Sequence, residues 1–143
     1  MNSIHIEKMK EVDIKEAAQV FMNVFNGEGQ SWDESSSLSH IKENYSGDSD
    51  FIAKDGDKIV GILIGLPDTS DNTVYLYIDS FAVLKEYRGT GIGKSLWEAA
   101  MNYAKEMDYG GIRLLTHPDF KSYEWYKRMG LKESGWREVY IDF

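Results

Sequence analysis

A glycine-rich turn is the stretch of this sequence best suited to binding an anion. An apolar run from Ile78 to Val83 leads into the turn, and a helical pattern follows it. Glycines lack Cβ, so a phosphate can approach the backbone closely, and the free N–H groups at the helix start would face its oxygens. The sequence therefore predicts a phosphate-binding turn formed by Arg88, Gly89, Thr90, Gly91, Ile92, Gly93, Lys94 and Ser95.

Two common phosphate-binding fingerprints fit this turn incompletely. The dinucleotide pattern G-x-G-x-x-G, begun at Gly89, requires a glycine where the chain has Lys94. The P-loop pattern G-x-x-x-x-G-K-[ST] matches Gly93, Lys94 and Ser95, but it requires a glycine at the position of Arg88. A P-loop also usually follows the first strand of a parallel sheet, whereas this turn follows hairpins. The dinucleotide interpretation therefore fails, and the P-loop remains only as a weak alternative.

Two further groups of residues have side chains that suit an amine ligand. Tyr77, Asp79 and Phe81 fall on one face of a strand if side chains alternate with a period of two. Glu28 and Trp32 lie in a polar segment between two helical patterns. An aromatic ring beside carboxylates would suit a cationic amine. The alternative interpretation is an exposed loop that one Trp anchors.

Hydrophobic periodicity predicts strands and helices that interleave around these groups. Strands are predicted over 3–7, 51–54, 58–66, 73–83, 112–116 and 139–143, and helices over 13–25, 33–45, about 91–107 and 121–129. His117 follows one of the strands, where its ring either faces a ligand or caps a turn. The element order predicts one α/β domain over 1–143, with a mixed central sheet of about six to seven strands and about four flanking helices.

Composition and charge limit the class of protein. The 143 residues include no cysteine, which excludes disulfides, Cys-ligated zinc and a thiol nucleophile and suits a reducing compartment. The net charge of −8 disfavours nucleic acid as a partner. Residues 1–80 hold 15 acidic and six basic residues, whereas 81–143 hold nine and ten, which favours a cationic ligand for the first part and an anionic one for the second. No apolar run has signal-peptide or membrane-span length, so a cytoplasmic protein without membrane contact is expected.

The same turn resembles the principal motif of the GNAT acyltransferase superfamily. Arg88-x-x-Gly91-x-Gly93 matches that family's Gln/Arg-x-x-Gly-x-Gly/Ala pattern. The segment YEWYKRMGL, from Tyr123 to Leu131, is similar to its second motif, an aromatic residue and a Tyr followed by Gly-Phe. The order of the predicted elements agrees along the whole chain. The glycine motif alone would be weak, and the downstream Tyr together with the element order makes the resemblance specific.

The resemblance implies that the chain binds coenzyme A. Its pyrophosphate would lie on backbone N–H groups of residues 88–95, and its pantetheine arm would pair like an extra strand with Phe81, Ala82 and Val83. An Asn that often holds the pantetheine corresponds here to Asp119, which when ionised accepts hydrogen bonds but cannot donate them. Leu131 replaces the family's usual Phe, a change that a core tolerates.

The resemblance also implies catalytic roles. Tyr126 matches the Tyr of the second motif and would act near the thioester sulfur as a general acid or as a donor that orients the thioester. The alternative is that Tyr123 and Tyr126, three residues apart, are core aromatics. A carboxylate on the strand before the turn serves as a base in some members, directly or through water, which makes Asp79 the candidate base. Glu28, Trp32, Tyr77 and His117 are the candidate substrate-binding residues.

The resemblance therefore implies an N-acetyltransferase that uses acetyl-CoA, and no metal is expected. The acetyl group would pass directly, within a ternary complex, to a primary amine of a small molecule or peptide. One alternative is a CoA-binding sensor module without turnover, and a weaker one is a P-loop-like nucleotide-binding protein. A homodimer is left open.

Overall fold

A five-stranded mixed sheet forms the centre of the molecule. The computed structural model describes residues 3–143. Its strands are β1 (Ile4–Lys8), β2 (Asp50–Asp55), β3 (Lys58–Ser70), β4 (Thr73–Val83) and β5 (Ile112–Leu114). They lie in the order β1-β2-β3-β4-β5, with antiparallel pairing from β1 to β4 and parallel pairing between β4 and β5. The predicted α/β fold class is confirmed.

Four helices cover the sheet, as predicted. They are α1 (Ile14–Gly27), α2 (Glu34–Asn44), α3 (Ile92–Glu106) and α4 (Lys121–Arg128). The inner faces of α1 and α3 carry apolar side chains three and four residues apart, and these pack with the sheet in one hydrophobic cluster. No helix within residues 3–143 is long and apolar enough to cross a membrane.

Helices α2 and α3 begin differently. At α2, the Asp33 carboxylate accepts a hydrogen bond from the Ser36 backbone N–H at 2.7 Å. At α3, the first cap position is Gly91, whose φ of +87° favours glycine, and no side chain of the described residues caps the helix. The first N–H groups of α3 therefore remain available to a ligand.

Strands β4 and β5 separate after a short stretch of pairing. Leu76, Tyr77 and Ile78 pair with β5, but β4 continues for five more residues to Val83. Within residues 3–143, no strand lies beside the outer edge of 79–83. The backbone hydrogen-bonding groups on this edge of β4 thus face a gap between the two strands.

A β-bulge lies where the two strands begin to separate. Ser80 and Ile78 pair with the neighbouring β3 residues Ile64 and Gly65, so Asp79 is an extra residue without a partner in β3. A bulge interrupts the two-residue alternation of side chains. The prediction that Tyr77, Asp79 and Phe81 share one face by simple alternation is therefore wrong for Phe81. Asp79 contacts α2, whereas Phe81 packs against α3 and α4.

The predicted strand at 139–143 is also wrong, which explains why the sheet has five strands rather than six or seven. Residues 132–143 form no helix or strand, and Trp136 and Val139 are 87% and 88% exposed. Apolar and β-branched side chains suit a pleated surface, but a strand also needs a neighbour to complete its hydrogen bonds. In the part of the chain that the structure describes, this segment has no such neighbour.

Candidate active site

A cleft of about 470 Å³ occupies the gap between β4 and β5. Its walls come from the end of α1, the free edge of β4, the glycine-rich turn, the start of α3 and helix α4. The residues predicted to bind the cofactor contribute much of this lining: Phe81, Ala82, Val83, Arg88, Gly89, Gly91, Gly93 and Lys94. The structure thus brings the turn and the strand before it to one site.

Four other predicted cofactor residues do not line this cleft. The Ile92 side chain is 3% exposed and packs in the core, so only its backbone could face a ligand. The Ser95 N–H donates to the Gly91 carbonyl within α3 at 3.0 Å, which uses up this donor. The Thr90 hydroxyl donates to the Tyr87 carbonyl. Asp119 lines a neighbouring cavity instead.

Two of the three glycines of the turn, Gly89 and Gly91, leave open space beside the backbone. Gly89 and Gly91 have φ values of +77° and +87°, and a Cβ placed on either would meet no atom within 4 Å. Gly93 has an ordinary φ, and a Cβ there would lie 3.9 Å from the side chains of Phe81 and Val83. The fold itself therefore does not fill the space that these glycines leave.

Basic and acidic side chains around the cleft come from different elements. Arg88 and Lys94 belong to the turn and the start of α3, and Lys121 and Arg128 to α4. The Arg88 Nε also donates to the Val83 carbonyl at 3.2 Å, which ties the turn to the end of β4. The acidic residues that line the cleft are Glu28, at the end of α1, and Asp79, in β4. This arrangement suits an anionic ligand beside the turn and a cationic one beside β4.

Tyr126 places a neutral phenol in the cleft wall. It is 8% exposed, and its ring packs near Phe81, Trp97 and Trp125. Burial, with a smaller effect from the charge of Glu28, raises the pKa of Tyr126 to about 12. The phenol is therefore a hydrogen-bond donor at physiological pH.

Asp79 reaches the cleft as part of a small polar network. Its Oδ2 accepts hydrogen bonds from His40 Nε2 and from the Ser80 hydroxyl, both at 2.8 Å. Sequence reasoning did not single out His40. A signal was its place three residues after Ser37, which is buried in α2, because residues three apart lie on the same side of a helix.

Of the four predicted substrate-binding residues, only Glu28 lines the cleft. Trp32 packs edge-on against Phe21, with ring centroids 4.6 Å apart, and so anchors the loop before α2. Tyr77 lies outside the lining, and burial followed by the charge of Asp79 raises its pKa. His117 is 60% exposed and its Nδ1 accepts from the Asp119 N–H, which agrees with the turn-capping alternative.

A match to a known family covers most of the chain. Residues 14–131 match the family model described as the acetyltransferase (GNAT) family. The chain belongs to the GNAT acetyltransferase family. The match includes both motifs on which the resemblance depended, and it gives no support to the nucleotide-binding P-loop alternative.

Two curated proteins named as N-acetyltransferases match parts of this GNAT chain. N-alpha-acetyltransferase 30 from Schizosaccharomyces pombe is 34% identical over 82 residues, which cover 56% of this chain and 55% of that protein. N-acetyltransferase family 8 member 2 from Rattus norvegicus is 26% identical over 88 residues, covering 59% and 39% of the two chains. The chain thus matches about half or less of the length of these curated relatives.

Solved structures of low sequence identity share the fold. A possible acetyltransferase from Clostridium difficile 630 has a TM-score of 0.82 and 22% identity, with 98% of this chain and 97% of that chain covered. The aminoglycoside N-acetyltransferase AAC(6')-Iy in complex with CoA has a TM-score of 0.80 and 17% identity, with 99% and 96% covered. At such identities the likeness concerns the fold alone.

Proposed function

We propose that this GNAT protein is an N-acetyltransferase that transfers the acetyl group of acetyl-CoA to a primary amine. The observation that carries the proposal is the free edge of 79–83 in β4, which lies beside the uncapped start of α3 in one cleft. An extended pantetheine arm can pair with such an edge, while the N–H groups of α3 bind the pyrophosphate. Arg88 and Lys94 add positive charge beside the phosphates.

The proposed chemistry is direct attack of the amine on the thioester. The nitrogen lone pair forms a bond to the carbonyl carbon, and the C–S bond breaks with its electron pair on sulfur. Asp79 takes the proton that nitrogen must lose, directly or through one water. Tyr126 donates a hydrogen bond to the departing sulfur, which carries the negative charge. Counted from the ammonium form, nitrogen loses two protons: one goes to solvent through Asp79 and the other ends on the departing thiolate. The products are the amide, the CoA thiol and one proton released to solvent.

The proposed acceptor is a small cationic amine. Glu28 and Asp79 both line the cleft. The Glu28 carboxylate can hold the ammonium group, and the Asp79 carboxylate can accept its proton. A solved structure of AAC(6')-Iy, which shares this fold, contains a bisubstrate analogue in which CoA is linked to acetylneamine. A peptide amine is the second candidate, because one curated relative is named an N-alpha-acetyltransferase.

Ligand-induced stabilisation followed by thiol release tests this proposal. Thermal unfolding is measured with acetyl-CoA, CoA, ATP and NAD, and release of free CoA is then followed with spermine, kanamycin and a short peptide with a free N-terminus. Acetyl-CoA at 100 times its Kd is expected to stabilise the protein by about 2.7 kcal/mol. Stabilisation by ATP alone would contradict the proposal.

The same measurement separates the enzyme from a sensor module. A sensor would bind acetyl-CoA yet release no CoA with any amine. The neutral phenol of Tyr126 in the cleft supports the enzyme, because a site that only binds CoA needs no donor for a departing thiolate. Faster release with spermine or kanamycin than with the peptide is the result expected for a cationic small-molecule acceptor.

A further inference from the structure

We infer that His40 is a positioning residue that holds the Asp79 carboxylate toward the acceptor amine. This inference rests on the proposed function. His40 is outside the cleft lining, whereas Asp79 is within it. The 2.8 Å contact between His40 Nε2 and Asp79 Oδ2 joins the two. His40 therefore acts on the reaction only through Asp79.

The position of Asp79 in a bulge explains why such support is needed. An extra residue of a bulge makes no regular pair with the neighbouring strand, so the ladder does not fix its direction. Two hydrogen bonds supply that restraint, one from His40 on α2 and one from the adjacent Ser80 hydroxyl. Both end on Oδ2. Among the described residues, no hydrogen bond is found to Oδ1, which is left to receive the amine proton.

His40 is itself held firmly by aromatic rings. Its imidazole stacks on Phe21 with centroids 5.0 Å apart and 24° between the planes, and the Trp32 ring lies 5.2 Å away. These contacts fix the ring, so that its Nε2–H points at one carboxylate oxygen. They also give Trp32 a packing role, because its ring lies against His40 and Trp32 is not among the residues that line the cleft. With a carboxylate as acceptor, Nε2 is the nitrogen that must carry a hydrogen.

Two substitutions at this position separate hydrogen bonding from packing. His40→Phe keeps an aromatic ring against Phe21 and Trp32 but removes the donor to Asp79. His40→Gln gives up the ring but places an amide N–H near the position of Nε2. His5→Phe is the matched control, since His5 lies on β1 with its side chain 48% exposed and contacts Glu7.

Steady-state transfer from acetyl-CoA to the fastest amine of the panel is measured for all three variants. We expect His40→Phe to lower kcat by about tenfold or more, with the acetyl-CoA KM and the melting temperature little changed. His40→Gln should keep kcat within about threefold of the wild type, and His5→Phe should match the wild type. A residue that only packs gives the opposite pattern, with full activity in His40→Phe and a lowered melting temperature in His40→Gln. That pattern would overturn the inference and leave the proposed function standing.

A spectroscopic measurement tests the pairing without any turnover. Long-range ¹H–¹⁵N correlation of the imidazoles near pH 8, with His40→Gln used to assign the signal, reports which nitrogen carries the hydrogen. The Nε2–H tautomer is expected for His40, and the Nδ1–H tautomer would overturn the pairing. If the wild type binds acetyl-CoA but acetylates no amine, the proposed function fails, and the positioning role fails with it.

Discussion

At the scale of single residues, the raised pKa of Tyr126 decides between two roles for its phenol. A thiol ordinarily has a pKa of about 8.5. With the pKa of Tyr126 raised to about 12, full transfer of its proton to a thiolate would be strongly uphill. The phenol therefore serves better as a hydrogen-bond donor to the sulfur than as a general acid that ends as phenolate.

Removal of this hydroxyl tests its role. Tyr126→Phe should lower kcat by on the order of tenfold or more, because the ring that packs against Phe81 and Trp97 remains while the donor is lost. The Kd for CoA, measured by calorimetry, should change little. Tyr123→Phe is the matched control, since the Tyr123 hydroxyl donates to Glu133 and Tyr123 does not line the cleft. Equal loss in both variants would contradict the assignment.

The pKa of Tyr126 also predicts a pH dependence. Because its folded pKa is raised, the phenol keeps its proton through the range in which an ordinary tyrosine, with a pKa near 10, would lose it. The ratio of kcat between the wild type and Tyr126→Phe should therefore stay constant from pH 7 to about pH 10. A ratio that fell toward one as the pH approached 10 would show that the phenol ionises early.

At the scale of elements, the junction of β4 and α3 offers two glycine substitutions with different expected effects on binding. In Gly93→Ala the new Cβ meets only ordinary contacts at 3.9 Å, and alanine favours a helix more than glycine does. The ligand-free melting temperature should stay equal or rise and the Kd for acetyl-CoA should change little, because the motif that this turn matches accepts alanine at this position. Gly91→Val should raise the Kd several-fold, because its side chain enters space that the fold leaves open, and its φ of +87° would strain the fold at the same time. Unchanged affinity in Gly91→Val would count against the proposed path of the cofactor.

The first residue of β2, Asp50, has a buried carboxyl group that makes stability depend on pH. Asp50 is fully buried, and its Oδ2 accepts from the Ser46 and Gly47 N–H groups at 2.9 and 2.8 Å. Burial is the main cause of a raised pKa for this carboxyl. The folded state therefore binds the Asp50 proton more tightly than the unfolded state, so the protonated carboxyl group stabilises the fold at low pH. This stabilisation is lost as the pH rises from the ordinary Asp pKa of about 3.9 through the raised pKa of folded Asp50.

Asp50→Asn removes this titration while its amide oxygen can still accept from the turn. The free energy of unfolding of the variant minus that of the wild type should increase as the pH is raised from about 4 and then level off. Urea denaturation at several pH values measures this difference. A difference that stays constant with pH would show that Asp50 ionises at its ordinary pKa in the folded protein.

At the scale of the whole molecule, stability should reside in the central cluster and not in the last residues of the chain. Ile62 is fully buried in β3, whereas Ile141 is 77% exposed. Ile62→Ala should lower the free energy of unfolding by about 2–5 kcal/mol, because it opens a cavity in the core. Ile141→Ala should change it by less than about 0.5 kcal/mol. Chemical denaturation of the two variants compares the same substitution at a buried and at an exposed position. A large loss in the free energy of unfolding of Ile141→Ala would mean that the last residues of the chain pack against the protein in solution.

Much of the fold could be predicted because it depends on local patterns. Apolar side chains at helical spacing located α1 and α3. All four helices were predicted close to their observed bounds, and β4 was placed at 73–83, as observed. The glycine-rich turn could be recognised because its residues are consecutive in sequence. Tyr126 is distant in sequence, and its place was inferred through the family motif rather than from spacing.

The features that were missed depend on pairing between distant segments. The bulge at Asp79 becomes visible only from the register between β3 and β4, and it overturned the expectation that Phe81 shares the face of Asp79. The hydrogen bond from His40 to Asp79 spans 39 positions, so no local pattern predicts it. Whether residues 139–143 form a strand depends on a neighbour that their own side chains do not specify.

The extra residue in β4 also divides the chain into two portions that could be exchanged separately. Under the proposed function, Glu28 and Asp79, which line the cleft beside the amine, and His40 and Ser80, which hold Asp79, all precede Phe81, whereas the residues that would hold CoA begin at Phe81. A recombinant joined between Ser80 and Phe81 would therefore inherit its acceptor preference from one parent and its acyl donor site from the other. New acceptor preferences could arise in this lineage by change in the first portion, while the second stays as it is.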